Sequence, residues 1–378
     1  MDFQLTEEQR EYRREFARFA EENMNDEHYK QGFSRDLWLK MARFGMFGMT
    51  VEQKYGGLEE SYQTAAAVSE ALGYACHNNG LLFTINNHIW VAQNMIYLYG
   101  SESLKAKYIK KMVDGQLIGC FALTESESGS DAFNMSAKAV ADGDGYRLDG
   151  TKMFVSNGPI ADIFIVIALT ETKKMTAFVV EKAFSGVKTG PDIQKMGLES
   201  CPTCELVLQS CYVPAENVLG TLNGGNHIAS AALEWERCFE AAPHIGVMQR
   251  LMERCIEHAK MRRQFQKPLE EFQGVTHKIA DMYVAVETAR NLLYKIAWLK
   301  DRKKNAFLEA AVFKLYLSEQ YVRTCKNAMQ IFGGYGYTKE YGLEQEMRDA
   351  LASTVYSGTS EMQRNTIYSL ASISDFIT

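Results

Sequence analysis

Apolar residues recur at intervals of three and four through about the first 117 positions. They switch to short two-residue alternation near Ile118 and return to the helical interval from about Asn226 to the end of the chain. The first spacing is that of one helix face and the second that of a strand with one buried side, so the pattern predicts helices, then strands, then helices. In the first segment Thr6 and Gln9 form a capping-box pair ahead of the stripe Tyr12, Phe16 and Phe19. Ser34 can cap a second helix with Leu37, Trp38, Met41 and Phe44 on one face, stopped at Gly45. Further helices are predicted through TAAAVSEALGYA (64–75), HIWVAQNMIYLYG (88–100) and SLKAKYIKKMVDG (103–115).

Between 137 and 158 the stretch AKAVADGDGYRLDGTKMFVSNG breaks its alternation at Asp-Gly pairs, which supply the positive φ of tight hairpins. The strand signal continues through IFIVIALT, TAFVVEK and CELVLQSCYVP to about Val213. Long helical segments then cover 232–265, 270–301 and 308–337. The resulting expectation is three packed parts: a helical segment 1–117, a β segment 118–222 and a helical segment 223–378.

Composition changes this picture little. With 46% apolar residues, 23% charged residues and a formal net charge of -6, the 378-residue chain reads as a globular protein with no electrostatic case for nucleic acid. Its longest apolar run, 163–169, is far short of the ~20 residues that span a bilayer, and a cytoplasmic location is expected. Eight scattered cysteines are then expected to be reduced packing residues. The pair Cys201 and Cys204 has no second pair or His cluster at zinc-site spacing, so no metal is expected.

Six stretches carry more information together than singly: LTESESGSD (123–131), LDGTKMFVSNG (148–158), RRQFQKPL (262–269), QIFGGYGYTKEY (330–341), MRDA (347–350) and YSGTSEMQR (356–364). In this order they resemble the acyl-CoA dehydrogenase family of flavoenzymes along essentially the whole chain. The resemblance implies an α+β fold with an N-terminal helical domain, a central β-barrel and a C-terminal four-helix bundle. It also implies FAD, a homotetramer, and oxidation of an acyl thioester between its α and β carbons.

Carried over residue by residue, it places Phe121, Leu123, Thr124, Gly129 and Ser130 along the flavin edge and thioester channel, and Phe154 and Ser156 beside the ring. Arg262, Gln264 and Phe265 would approach the phosphates and adenine from a neighbouring subunit. Gln330, Gly333 and Gly334 would admit the pyrophosphate, and Thr359 and Glu361 would finish the pocket. Ser126 and Glu127 replace the family's usual Pro-Gly, and Gln266 replaces a usual Gly, which puts the loop over the flavin mouth and the backbone near the phosphates in question.

The largest departure is Ser357, where many members carry the glutamate that removes the α proton. A serine hydroxyl has no basicity near neutral pH. Periodicity offers a replacement: Glu236 stands three residues from both Leu233 and Phe239 and shares their inward stripe, while Glu234 points away. Burial among apolar groups would raise its pKa into the range useful for a base. Some family members place their base at this helix position. The competing reading is a structural ion pair between Glu236 and Arg237 or another arginine; Glu240 is the reserve base, Trp235 and Phe239 read as pocket wall or core, and His227 and His244 read as structural.

Within the family, NGPIADIF, LESCPTCEL, EWERCFEAA, RRQFQKP and YSGTSEMQR are similar to the subgroup that oxidises a prolyl group on a carrier protein. That similarity implies a phosphopantetheine-tethered substrate on an acyl or peptidyl carrier protein, a pyrroline or pyrrole product in natural-product biosynthesis, and oxygen or an electron-accepting flavoprotein as oxidant. A short- or branched-chain acyl-CoA dehydrogenase, a catalytically inactive flavoprotein with an assembly role, and a relative running in the reductive direction stand as alternatives.

Overall fold

The structure is a computed structural model that describes residues 4–26, 32–171 and 173–373. Residues 1–3 and 374–378, assigned above to the outer ends of the first and last segments, lie outside the described part. Helices α1 (Glu7–Asn23) and α2 (Arg35–Arg43) begin where the capping signals put them. Thr6 Oγ1 accepts from Gln9 N and Gln9 Oε1 accepts from Thr6 N, the reciprocal arrangement expected of that pair. Next come α3 (Tyr62–Ala75), α4 (Asn79–Asn86), a π-helical turn (Asn87–Gln93), α5 (Asn94–Tyr99) and α6 (Glu102–Val113). The stretch 79–99 is therefore one rod with a widened middle.

Strands β1 (Gly119–Ala122), β2 (Lys138–Asp142), β3 (Gly145–Ser156), β4 (Ile163–Leu169), β5 (Met175–Glu181), β6 (Val187–Thr189), β7 (Thr203–Pro214) and β8 (Val218–Leu219) form one sheet. Its order is β6-β7-β3-β2-β4-β5-β8, and β1 lies parallel to β4. The continuous apolar run of β4 is explained by burial on both faces. Ile163, Ile165 and Ile167 join the helical core, while Phe164, Val166 and Ala168 fill the inner core of the curled sheet.

Only one of the Asp-Gly signals is a hairpin: Gly143, at φ +61°, turns β2 into β3. Asp149-Gly150 instead lies within β3 at a shift of register. Gly150 has φ +151°, and a Cβ there would come within 2.8 Å of the Ala137 backbone, so this glycine serves a bulge and a close strand approach.

The last part contains α7 (Gly225–Trp235), a second π-helical turn (Glu236–Glu240), α8 (Pro243–Met261), α9 (Gln273–Asp301), α10 (Phe307–Phe332), α11 (Leu343–Ala352) and α12 (Ser360–Ile373). Between α8 and α9 a two-stranded ribbon pairs β9 (Arg263–Gln264) with β10 (Lys267–Pro268). The MRDA stretch on α11 clasps the sheet domain. Arg348 Nη1 donates to Met196 O at 2.7 Å, and Asp349 Oδ1 accepts from Leu198 N at 2.6 Å.

Candidate active site

Where the two π turns cross, the sheet domain and the C-terminal helices enclose a cavity of about 240 Å³. One wall comes from β1, the loop after it and the end of β3: Phe121, Leu123, Thr124, Gly129, Ser130, Phe154 and Ser156 all line it. Glu236 and Leu233 face them, with Asn87 from the first π turn and Ser357-Gly358 from the turn before α12. A π turn adds a residue to a helix and so breaks its regular facing. No periodicity in the sequence announces either turn, and Asn87 was not identified from sequence for that reason.

The sheet wall is held by a buried ion pair. Lys152 Nζ lies 2.8 Å from Glu125 Oε1 and also donates to Leu123 O at 3.0 Å. Glu125 further accepts from Ser136 N and Oγ, each at 2.6 Å, and from Ala137 N at 3.0 Å. Burial would raise this carboxyl, but the bonds from Lys152 and Ser136 outweigh it and hold the pKa down at about 2. The loop from Leu123 to Gly129 is thus tied to β3, with Met153 N donating to Thr124 O at 2.8 Å. A register shift between Lys152 and Val155 then turns Phe154 outward at φ +55°, leaving it 63% exposed at the cavity mouth.

On the opposite wall Glu236 is half-buried and lines the cavity. Burial pushes its pKa up to about 7, against the nearby Arg237 charge and the hydroxyl of Ser357, which pull it down. Arg237 does not close on it; its Nε donates to Ser357 O at 3.1 Å. Lys314 Nζ donates to Gly358 O at 2.7 Å, and Gln363 Nε2 donates to both carbonyls. These donors hold Ser357 at φ +56°, an uncommon conformation for a residue with a Cβ. Arg237 and Lys314 carried no recognisable motif, and their role comes from contacts across 120 and 44 residues of sequence.

Glu234 points away from the cavity, as its helical position predicts, yet it is not solvent-facing. It is buried, paired with Lys300 and accepts from Ala306 N at 2.6 Å. Trp235 and Phe239, which flank Glu236 in sequence, pack with Trp90 and Tyr62, with Trp90 and Phe239 centroids 4.5 Å apart and Tyr62 and Trp235 5.0 Å apart. Trp235 and Tyr62 line a different, larger cavity of about 810 Å³, which Glu234 also lines. His244 stacks on Tyr321 and shares a 2.6 Å hydrogen bond with Tyr356, and burial lowers its pKa to about 4. His227 packs edge-on against Tyr99.

The remaining sequence-identified residues lie elsewhere in the single chain. Arg262, Gln264, Gly333 and Gly334 line a separate cavity of about 510 Å³ beside Phe332 and Tyr335. Phe265, on the β9–β10 turn, is 87% exposed, and Gln330 is also exposed. Thr359 and Glu361 do not line the Glu236 cavity: Thr359 Oγ1 accepts from Met362 N in the first turn of α12, and Glu361 is exposed there. Met362 and Thr366, further along the same helix, line it instead.

Comparison with known proteins agrees with this architecture. Family models described as the N-terminal, middle and C-terminal domains of acyl-CoA dehydrogenase match residues 6–116, 120–211 and 223–370. The chain is 36% identical over 374 residues to a short-chain-specific acyl-CoA dehydrogenase of Clostridium acetobutylicum, covering 96% of this chain and 98% of that one. Its structure is similar to that of the prolyl acyl carrier protein oxidase AnaB, with TM-score 0.95, 38% identity, and 97% and 100% of the two chains covered. A structure of PigA with FAD and proline matches at TM-score 0.95 and 33% identity, over 99% of this chain and 100% of that one.

Proposed function

Since the chain belongs to the acyl-CoA dehydrogenase family, we propose that it oxidises a small acyl thioester carried on a protein, a prolyl group on the phosphopantetheine arm of a carrier protein, to the pyrroline or pyrrole level. It is an FAD-dependent oxidoreductase of that family. The residues present fit the cofactor. Phe154 is an exposed ring at the cavity mouth, and no atom lies within 4 Å of where a Cβ on Gly129, Gly333 or Gly334 would sit, which leaves room for a large ligand at both cavities. Phe154 and Ser156 would hold the flavin ring; Arg262, with its planar fork, would hold phosphate oxygens. When bound, FAD supplies the acceptor for the hydride that leaves the substrate.

The observation that carries the proposal is Glu236 standing across a small cavity from Phe154 and Ser156, with Ser357 where another acid would be needed. Raised toward neutrality, its carboxylate matches the task of taking a weakly acidic Cα proton. The Glu125–Lys152 pair fixes the loop that would line the thioester, so that orientation is set before the substrate enters. A cavity of about 240 Å³ suits a compact ring and not a long chain. Similarity to the prolyl acyl carrier protein oxidase AnaB and to PigA supports the same substrate.

Small cavity size also favours a second reading, a short-chain acyl-CoA dehydrogenase, in keeping with the similarity to the Clostridium acetobutylicum enzyme. Exposed Met261, Phe265 and Tyr337, next in sequence to residues that line the Arg262 cavity, are apolar surface of the kind another copy of the chain would cover, which supports a homo-oligomer that completes the FAD site. The test is to mix the protein with proline-loaded carrier protein and, separately, with short acyl-CoAs, following flavin absorbance and the mass of the tethered group. Bleaching is expected, with a loss on the carrier of two mass units for a pyrroline or four for a pyrrole. Bleaching by acyl-CoAs alone would establish the second reading.

A further inference from the structure

Behind Glu236 lies another acid, for which the reaction as described has no use. Glu240 ends the same π turn with 1% of its surface exposed, and neither carboxyl oxygen has a hydrogen-bond partner among the described residues. Residues four apart in such a turn project from one side, and the Glu240 carboxyl lies within reach of Glu236 and, across the helix crossing, of Asn87. It is aligned with neither, and the Asn87 Oδ1 is likewise without a partner. The end torsion of a carboxyl is soft, so alignment needs only a small rotation.

A buried carboxyl without a partner is costly, whereas a leucine beside Phe239 would pack at no such cost. The charged and titratable groups around Glu240 show which form it takes. On its own turn stand Glu236 and Arg237; Lys314 approaches Glu236 from α10; Tyr356 faces both acids from the loop after α11, with His244 of α8 behind it; Cys201 faces Glu240 from the sheet domain. Neither cation neutralises Glu240, because Arg237 is turned to Ser357 O and Lys314 to Gly358 O, and burial keeps His244 neutral. Burial first, and then the charge of Glu236, push Glu240 well above the usual carboxylate range.

We propose that Glu240 is a positioning residue, a neutral carboxylic acid that donates its proton in a hydrogen bond to Glu236, so that the two carboxyls hold one proton between them and the free oxygen of Glu236 is turned to the substrate. This rests on Glu236 being the base. A donor bound to the charged form of Glu236 offsets part of the burial that raises it. Two acids this close titrate as a pair, in two steps that belong to both.

The experiment follows flavin reduction against pH in the holoenzyme, for wild type, Glu240→Leu and Glu240→Gln. Loss of the donor in Glu240→Leu is expected to move the acid limb upward by about one pH unit. Glu240→Gln, which keeps an N–H donor, is expected to restore the wild-type limb. The infrared difference between wild type and Glu240→Gln at neutral pH should contain the carbonyl stretch of a neutral carboxylic acid, a readout that needs no turnover. An acid limb unmoved in Glu240→Leu, or a difference spectrum without that band, overturns the proposal. Failure of the base assignment is separately visible, as undiminished flavin reduction in Glu236→Gln.

Discussion

Arg237 Nε donates to the carbonyl oxygen of Ser357 at 3.1 Å, across the turn that precedes α12, and leaves its sequence neighbour Glu236 facing the cavity. The arginine thus anchors the segment at Ser357, and its charge remains close enough to restrain the pKa of Glu236. An ion pair between Glu236 and Arg237 would leave that carboxylate without the basicity of the proposed role. The tertiary contact with Ser357 prevents that.

Glu236→Gln preserves size and polarity but cannot take a proton. Flavin reduction by the thioester substrate should fall by about 10²- to 10⁴-fold, the usual contribution of a positioned general base. The purified variant should still show the absorbance of bound flavin. Stopped-flow absorbance at substrate saturation separates the two.

With Glu236 at about 7 and an ordinary value of 4.5, the rate of flavin reduction should fall with acidification below neutrality. Stability carries two opposite signatures. Because the folded-state pKa of Glu236 is raised, its contribution is complete below about 4.5 and is lost as pH rises through about 7. Glu125, depressed to about 2, contributes stability that is present above 4.5 and is lost as pH falls through 2. Denaturant unfolding across pH should lose the first trend in Glu236→Gln and keep the second.

Lys152→Ala leaves the Glu125 carboxylate buried and uncompensated, a change expected to cost about 3–5 kcal/mol. Replacing both partners by Met and Leu should cost much less, since the penalty comes from the orphaned charge. Urea midpoints of the single and double variants measure the difference. Freed from β3, the loop at Leu123–Gly129 should also raise KM for the thioester.

Phe239→Ala removes a ring from the buried block it forms with Trp90, Trp235 and Tyr62. Stability should drop by about 3–5 kcal/mol. Because Phe239 lines neither the Glu236 cavity nor the larger one, a panel of acyl-CoAs of increasing length should keep its wild-type order of flavin reduction. A shift toward longer chains would mean that the block reaches the substrate pocket.

The order of elements, the capping of α1 and α2, the two-sided burial of β4 and the inward face of Glu236 were all legible in the chain, because each depends on residues within a turn or two of one another. The Asp149-Gly150 pair shows the limit: a local turn signal was overridden by the need for Ala137 to approach β3 closely. Only the tertiary structure decided that Glu234 is buried against Lys300, that two π turns cross at the cavity, and that Arg237 and Lys314 spend their hydrogen bonds on the Ser357-Gly358 carbonyls. Periodicity tells which side of a helix a residue occupies. It carries no information about which distant group meets it there, and the basicity of a buried acid depends on that group.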